Sequence, residues 1–154
     1  MNFSFQFILN DNSQIDSQGV VTSPEIYRDA INELYNLSCT VEVNMDGSKW
    51  TIEDELGAII GNFFLTGVTS LKSSGSAQFE QFEVDGQVSS ELIHDTVIIS
   101  GDFVDDLEIS LDAFKKLSID IANHALDFLK SLDNAKHQPD INFIDEKLIL
   151  VADS

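Results

Sequence analysis

The side chains with the greatest capacity for chemistry in this sequence are carboxylates in the stretch from Ala77 to Asp112. The stretch contains ten Asp and Glu residues and no Lys or Arg. Closely spaced carboxylates can bind a hard cation when their oxygens converge, or hold the Lys and Arg side chains of a partner by charge-assisted hydrogen bonds. Charge runs of this kind also form solvated surfaces that bind nothing. The candidate partner-binding residues are Asp102, Asp105, Asp106 and Glu108, followed by Glu80, Glu83 and Asp85.

The other reactive residue types do not form a recognisable catalytic or metal-binding motif. The histidines His94, His124 and His137 are far apart, and none has a second ligand at a zinc spacing. The single cysteine, Cys39, lies in an apolar stretch, which predicts a buried thiol rather than a reactive one. The sequence has no nucleophile elbow, phosphate-binding loop or dinucleotide-binding motif. We therefore expect a protein that is not an enzyme, with no catalytic residue, no metal site and no cofactor.

The balance of charges limits the classes of partner. The chain has 8 Lys and Arg residues against 27 Asp and Glu residues, so its formal net charge is −19. Phosphate backbones and anionic membrane surfaces attract the opposite sign, so we expect neither nucleic acid nor a membrane to be bound. A negative field of this size draws in basic partners. The absence of a basic leader and of a long apolar run favours a cytoplasmic protein.

The length and composition are typical of one packed domain. The chain has 154 residues, of which 43% are hydrophobic and 9% aromatic, enough to bury a substantial core. No internal repeat or linker divides it. We therefore predict a single domain over residues 1–154.

The apolar residues between the carboxylates predict the element that positions them. Apolar and polar residues alternate along the stretch, as they do in half-buried strands. Turn signals divide the stretch at Asp85-Gly86, His94-Asp95 and Gly101-Asp102. An acidic antiparallel meander is therefore predicted, with strands at 77–84, 86–93, 95–100 and 104–110.

The segments before the hairpin alternate between extended and helical patterns. Alternating apolar residues predict a first strand at 3–9, and the polar residues 10–22 predict a loop. Ser23 and Pro24 are typical of a helix start and predict a helix at 23–38.

A hairpin and a second helix follow. Asp46-Gly47 predicts a hairpin of strands 39–45 and 49–52, with Trp50 against the core. A weak capping-box pattern at 51–54 predicts the start of an apolar helix that runs to residue 71. Gly57 and Gly61 lie four residues apart, which would let this helix lie close to a sheet or another helix. Residues 72–76 predict a flexible connector.

The segments after the meander predict a long helix and a short extended end. Ser110 is a capping residue, and Phe114, Leu117, Ile121 and Ala125 begin an apolar stripe that continues to Leu132. Residues 134–139 break the helix, and the apolar run at 141–151 predicts one or two final strands. The fold class predicted is α+β: an antiparallel sheet, the meander, packed against two to three helices, with a long C-terminal helix.

The layout of the chain resembles that of small, acidic bacterial immunity proteins of polymorphic toxin systems. The resemblance covers roughly residues 41–132 and follows the order of an Asp-Gly hairpin, an apolar helix, an acidic meander and a long helix. Its motifs are Glu53-Asp54-Glu55-Leu56, Val97-Ile98-Ile99-Ser100-Gly101-Asp102 and Ala125-Leu126-Asp127-Phe128-Leu129. The resemblance implies a protein that acts by binding a cognate toxin and carries no catalytic residue.

The sequence leaves three functional hypotheses: two classes of binding protein and one class of enzyme. The leading hypothesis is a non-enzymatic immunity protein that neutralises a basic toxin by direct binding. The alternative is a secretion chaperone, which would hold an effector on exposed apolar surface such as the stripe of the long helix or the edge at Phe3, Phe5 and Phe7. A stable dimer would favour the chaperone, and a monomer the immunity protein. A carboxylate enzyme using a divalent cation is the third hypothesis.

Overall fold

The computed structural model describes residues 3–9, 14–16, 38–45, 48–82, 85–102, 104–131 and 138–154. In this part of the chain, two antiparallel four-stranded sheets pack with helices, so the predicted α+β class is confirmed. The helix predicted at 23–38 lies outside the described residues, except for Ser38, which begins a strand. The Asp46-Gly47 turn also lies outside them.

The first sheet has the strand order β2-β1-β3-β4. Its strands are β1 (Phe3–Leu9), β2 (Gln14–Asp16), β3 (Ser38–Met45) and β4 (Ser48–Glu55). The loop predicted at 10–22 is wrong at β2, because this short polar edge strand pairs through its backbone, with Ile15 opposite Phe7. The predicted capping box at 51–54 is also wrong. Those residues continue β4, in which Trp50, Ile52 and Asp54 are buried at alternate positions.

The second sheet is the predicted meander. Its strands follow in chain order as β5 (Ser76–Glu80), β6 (Gln87–Ile93), β7 (Thr96–Gly101) and β8 (Leu107–Ser110). β5 ends at Glu80 rather than near residue 84, and β8 begins at Leu107 rather than near residue 104. The apolar inner face is formed by Phe79, Val88, Val97, Ile99 and Ile109, which are all buried.

A helical segment connects the sheets. Leu56 and Gly57 open it, and a π-helix (Ala58–Leu65) continues into α1 (Thr66–Ser74). The predicted helix is confirmed, but the helical spacing of the apolar residues does not predict that its first part is a π-helix. Residues 72–74 form the last turn of α1 rather than a flexible connector, and Gly75 ends the helix with a left-handed φ of 79°.

The long helix α2 (Leu111–Ser131) is confirmed together with its cap, because the Ser110 Oγ accepts a hydrogen bond from the Ala113 N–H at 3.1 Å. The final strands predicted at 141–151 are wrong, because this segment is the helix α3 (Gln138–Ala152). Ile141, Ile144 and Val151 are its buried residues, and their spacing fits one helical face better than an alternating strand. Pro139 lies in its first turn, where proline is tolerated.

An aromatic cluster joins both sheets to the helices. Its members are Trp50, Phe63, Phe64, Phe79 and Phe114, with the Phe63 and Phe64 ring centroids 4.8 Å apart. All of them are at least 96% buried. Of the core or rim role predicted for Trp50, the structure shows the core position, and the predicted burial of Cys39 is confirmed. Burial of these large apolar surfaces fixes how the second sheet sits against β4.

Candidate functional site

The outer face of the second sheet carries carboxylates, because they alternate along the strands with the apolar residues of the inner face. Glu80 on β5 lies opposite Gln87 on β6, and Glu108 on β8 lies opposite Ile98 on β7. Glu80 and Glu108 are exposed, because side chains alternate between the two faces of a strand. The position of the apolar residues in each strand therefore directs these acids to solvent.

An open acidic groove lies where β5 ends, β6 begins and β7 ends. It has a volume of about 310 Å³ and is lined by Glu80, Gln81, Asp85, Gly86, Gln87 and Asp102. The Asp102 Oδ2 accepts a hydrogen bond from the Gln87 N–H at 3.2 Å, and the Asp102 N–H donates to the Gln87 carbonyl at 3.2 Å. These bonds hold the end of β7 beside the start of β6.

The candidate residues that line the groove come from both of the groups that the sequence analysis ranked. Asp102 comes from the group placed first by the sequence, whereas Glu80 and Asp85 come from the second group, and the structure brings these three together. Asp105, Asp106 and Glu108 are exposed but do not line the groove. Glu83 lies outside the described residues.

The strand β4 of the first sheet anchors both loops that carry the acids. The Trp50 Nε1–H donates to the Asp105 carbonyl at 3.0 Å. Asp54 is fully buried, and its Oδ2 accepts from the Phe82 N–H at 2.8 Å while its Oδ1 accepts from the Glu55 N–H at 2.7 Å. The capping-box interpretation of residues 51–54 hides this anchor, because it places Asp54 at a helix start. The alternation of Trp50, Ile52 and Asp54 is the signal that would place its side chain inside.

Gln81 connects the groove to the same strand. Its side chain is 9% exposed, and its Nε2 donates to the Glu53 carbonyl at 3.0 Å. Its Oε1 is buried and accepts no hydrogen bond from any described residue. Buried acceptors in proteins almost always have a donor, so this oxygen is unusual, but it lies on the inward side of Gln81, toward β4. No pattern in the sequence singles out Gln81.

Phe82, the residue after Gln81, presents an exposed aromatic ring. Its side chain is 68% exposed, although it is a large apolar residue. The bond from its N–H to the buried Asp54 holds the backbone at this point. Gln81 therefore turns inward, while the next residue in the chain turns outward.

The ion pairs of the described residues do not involve the candidate carboxylates. Within the described ranges, none of them forms an ion pair, whereas Lys49 pairs with Glu42 at 3.3 Å and Lys116 with Asp120 at 2.8 Å. Two further cations are engaged on α1 and α2. The Nζ atoms of Lys72 and Lys115 donate to the Ser154 carbonyl at 3.1 and 2.8 Å. Desolvation, together with repulsion from Lys115, lowers the pKa of Lys72.

The described histidines, His94 and His124, do not line the groove. His94 is exposed in the β6–β7 turn with a φ of 56°, His124 is half-buried on α2, and His137 lies outside the described residues. Over the described ranges, no three His, Cys, Asp or Glu side chains are placed to hold a metal ion together. In that same part of the chain, no helix is long and apolar enough to cross a membrane.

The chain matches no protein-family model, no curated protein and no solved structure. The geometry of the groove and of the strand that anchors it is therefore the basis for a functional proposal.

Proposed function

We propose that this protein is a non-enzymatic, acidic binding protein that neutralises a cognate toxin by direct contact, as an immunity protein does. The observation that carries the proposal is the surface formed by the acidic groove and the adjoining β7–β8 loop, whose exposed carboxylates form no ion pair with a described residue. Such a surface offers many acceptors, and a partner would not have to break an ion pair of the described residues. It suits a partner rich in Lys and Arg.

The proposed mechanism is competition for a basic groove of the toxin. Toxins that attack nucleic acids need positive charge to bind a phosphate backbone. An acidic protein is drawn into the same field and occupies the same surface, so it excludes the substrate. The net charge of −19 supports this mechanism, because long-range attraction depends on the whole charge distribution.

The anchoring by β4 supports binding with little loss of conformational freedom. Trp50 and Asp54 hold the loops that carry Asp105 and Phe82 from the buried side. Surfaces that are already ordered before binding lose less conformational entropy when the complex forms. The loops that carry the acids are therefore already held in place by β4 before a partner binds.

The experiment that tests the proposal is affinity capture with the intact chain as bait in a lysate of its own source organism. Three baits are compared: the natural chain, a rim variant with Asp102→Asn, Asp105→Asn and Asp106→Asn, and a control variant. The control carries Asp127→Asn, Glu146→Gln and Asp153→Asn, which change three exposed acids elsewhere by the same net charge. We expect the natural and control baits to recover one basic protein that the rim variant does not.

Neutralisation and its salt dependence complete the test. The recovered protein should be toxic when expressed alone and harmless when co-expressed with the natural chain. Its association rate should fall steeply as salt is added, and the rim variant should lose roughly tenfold in this rate at low salt. Equal rates at low and high salt would remove the steering mechanism, and recovery of a protein that is not toxic would remove the immunity function.

A secretion chaperone is the second candidate, favoured by one observation. Ile149 and Leu150 are 61% and 57% exposed on α3, which is an apolar pair suited to holding a client segment. The surfaces first suggested for that role are less suitable, because the stripe of α2 is buried in the core and β1 lies between β2 and β3. Sedimentation equilibrium separates the candidates, because a stable dimer favours the chaperone and a monomer the immunity protein.

A further inference from the structure

We infer that the outer face of α3 is a docking surface for a basic amphipathic helix of a second partner protein. This face consists of Asn142, Glu146, Ile149, Leu150 and Asp153, which are all exposed, and none of these residues lines the acidic groove. The inference does not depend on the immunity function. It starts from the apolar pair noted for the chaperone candidate and names the chemistry of the segment that would cover it.

The first observation is that α3 has large apolar residues on two opposite faces. Its inner stripe, Ile141, Ile144 and Val151, is buried where α3 packs against the π-helix and α2. A helix turns by 100° per residue, so Ile149 and Leu150 lie opposite this stripe, where a surface helix normally carries polar residues. Single exposed apolar side chains are common on proteins, but here two lie side by side. The packing of α3 on the other helices does not account for this pair.

The second observation is that carboxylates flank the apolar pair. Glu146 lies one helical turn before the pair and Asp153 one turn after it, and the Asp153 N–H donates to the Ile149 carbonyl at 3.1 Å, which continues the helical geometry. The lysine of α3, Lys147, lies over the Phe143 ring, 5.6 Å from its centroid. This contact draws the ammonium of α3 toward the side of the helix that meets the π-helix.

Two lysines near the end of α3 do not neutralise these acids. The Nζ atoms of Lys72 and Lys115 both donate to the Ser154 carbonyl. The ion pairs of the described residues involve neither Glu146 nor Asp153. The outer face therefore presents an apolar pair between two carboxylates that are available to a partner.

This order of acid, apolar pair and acid selects among the possible occupants. It matches a helix that carries an apolar pair between Lys or Arg residues one turn away on each side. A second copy of the chain would bring the same acids and a net charge of −19, and an anionic membrane would bring negative headgroups. Both would be repelled, so a basic amphipathic helix fits this face best.

The inference is tested on the intact, isotope-labelled chain by NMR titration with synthetic helical peptides. The basic peptide carries a Leu pair with Lys one turn before and one turn after it. One counterpart has Glu in place of the Lys residues, and the other has Gln in place of the Leu pair. We expect the basic peptide to shift the backbone amides of residues 146–153 and neither counterpart to do so. Shifts elsewhere with none in α3 would overturn the inference.

A double variant tests the apolar pair. Ile149→Gln with Leu150→Gln should weaken binding of the basic peptide at least about tenfold, because it removes the apolar surface that the peptide covers. Ile93→Gln is the matched control, because Ile93 is also a large exposed apolar residue, at the end of β6, and it should leave the affinity unchanged. Equal weakening by the two changes would contradict docking on α3.

The two triple variants defined above test the charges of the same face. The variant with Asp127→Asn, Glu146→Gln and Asp153→Asn removes both flanking acids and should weaken binding of the basic peptide roughly two- to fivefold, the range expected for exposed charge pairs. The rim variant removes the same net charge from the groove and the β7–β8 loop. It should have the smaller effect, because salt screens charges that the peptide does not contact. A larger effect of the rim variant would place the peptide at the groove and remove the α3 site.

Other occupants give different results. A dimer that Ile149→Gln with Leu150→Gln abolishes in sedimentation equilibrium would assign the face to a second copy. Binding to phosphatidylcholine vesicles that the same change abolishes would assign it to a membrane. Either result would overturn the inference. The capture experiment is separate, because a toxin lost from the rim bait alone upholds the immunity function whatever the peptide does, and the α3 site stands if the captured protein is not toxic.

Discussion

Two regions of the molecule place opposite demands on the sequence. One is the contact between the π-helix and α3, and the other is the acidic groove. At the helix contact, a Cβ added to Gly61 would overlap the Phe143 ring and lie 2.7 Å from its Cδ1, so packing dictates the residue. At the groove, Glu80, Asp85 and Asp102 are exposed. Folding requires glycine in the first region, whereas it requires no particular charge in the second. The binding role proposed above is therefore compatible with what folding requires of these carboxylates.

The strand β4 links the core, in which the π-helix packs, to the groove. Trp50 packs in the aromatic cluster through its ring and holds the Asp105 carbonyl through its Nε1–H. Asp54 is buried with the core and holds the Phe82 N–H beside the groove. If the comparison is right, substitutions should lose effect on stability in order from the helix contact, through β4, to the acids.

The largest effect is expected at Gly61. Gly61→Ala should lower the free energy of unfolding by about 3 kcal/mol, because the new methyl group overlaps Phe143 in a packed contact. Urea unfolding followed by circular dichroism measures the change. Gly67→Ala is the matched control, because its Cβ would lie 3.7 Å from Phe114, an ordinary contact. It should be neutral or stabilising by up to about 1 kcal/mol, since Ala favours helix over Gly.

A second substitution sharpens the assignment of the clash. The double variant with Gly61→Ala and Phe143→Ala should lose less free energy of unfolding than the sum of the two single variants. The expected coupling energy is about 1–2 kcal/mol. Strict additivity would show that Phe143 is not the group that excludes a methyl from Gly61, and that packing does not dictate this glycine.

The next effect is expected at Asp54. Asp54→Asn should cost about 2 kcal/mol, because an amide can accept from only one of the Glu55 and Phe82 N–H groups and leaves the other buried without an acceptor. Hydrogen exchange at the Phe82 amide should also accelerate. Glu53→Gln is the control, because this side chain is exposed and only its carbonyl is used, so its effect should stay within about 0.5 kcal/mol. Equal effects of the two changes would contradict the anchoring role.

The meander is predictable from sequence because one signal serves both local and tertiary structure. Phe79, Val88, Val97 and Ile109 alternate with polar residues, and turn residues separate the runs, so each strand reports its own inner face. The same logic places the acids outside. It also places the stripe and cap of α2, where a 21-residue helix gives many repeats of its period.

The wrong predictions fall where short segments are decided by their surroundings. The apolar run of α3 is too short to distinguish strand from helix by its period, and its contact with Gly57 and Gly61 lies far away in sequence. The capping-box interpretation hides the alternation that places Asp54 inside, and Gln81 escapes sequence analysis because it is buried through a bond to the distant Glu53 carbonyl. The acidic groove itself combines residues from three strand ends, an arrangement that depends on the register of the sheet.

A smaller effect is expected from the hydrogen bond of Trp50. Trp50→Phe keeps an aromatic ring in the cluster but removes the donor to the Asp105 carbonyl, so it should cost about 1 kcal/mol beyond the loss of ring area. Thermal unfolding measures the cost, and hydrogen exchange in 104–108 tests its location. Unchanged exchange in that loop would show that Trp50 stabilises the core without positioning the acids.

The smallest effect on stability, and the sharpest test of the comparison, is expected at the acids themselves. The rim variant with Asp102→Asn, Asp105→Asn and Asp106→Asn should unfold within about 0.5 kcal/mol of the natural chain, or be more stable. After Asp102→Asn, the new amide oxygen can still accept from the Gln87 N–H, and fewer negative charges reduce self-repulsion in a chain of net charge −19. Any gain should shrink as salt is added, because salt screens exposed charges. A loss above about 1 kcal/mol, absent from the control variant at Asp127, Glu146 and Asp153, would mean that folding itself uses these carboxylates, and the contrast with Gly61 would no longer point to a partner.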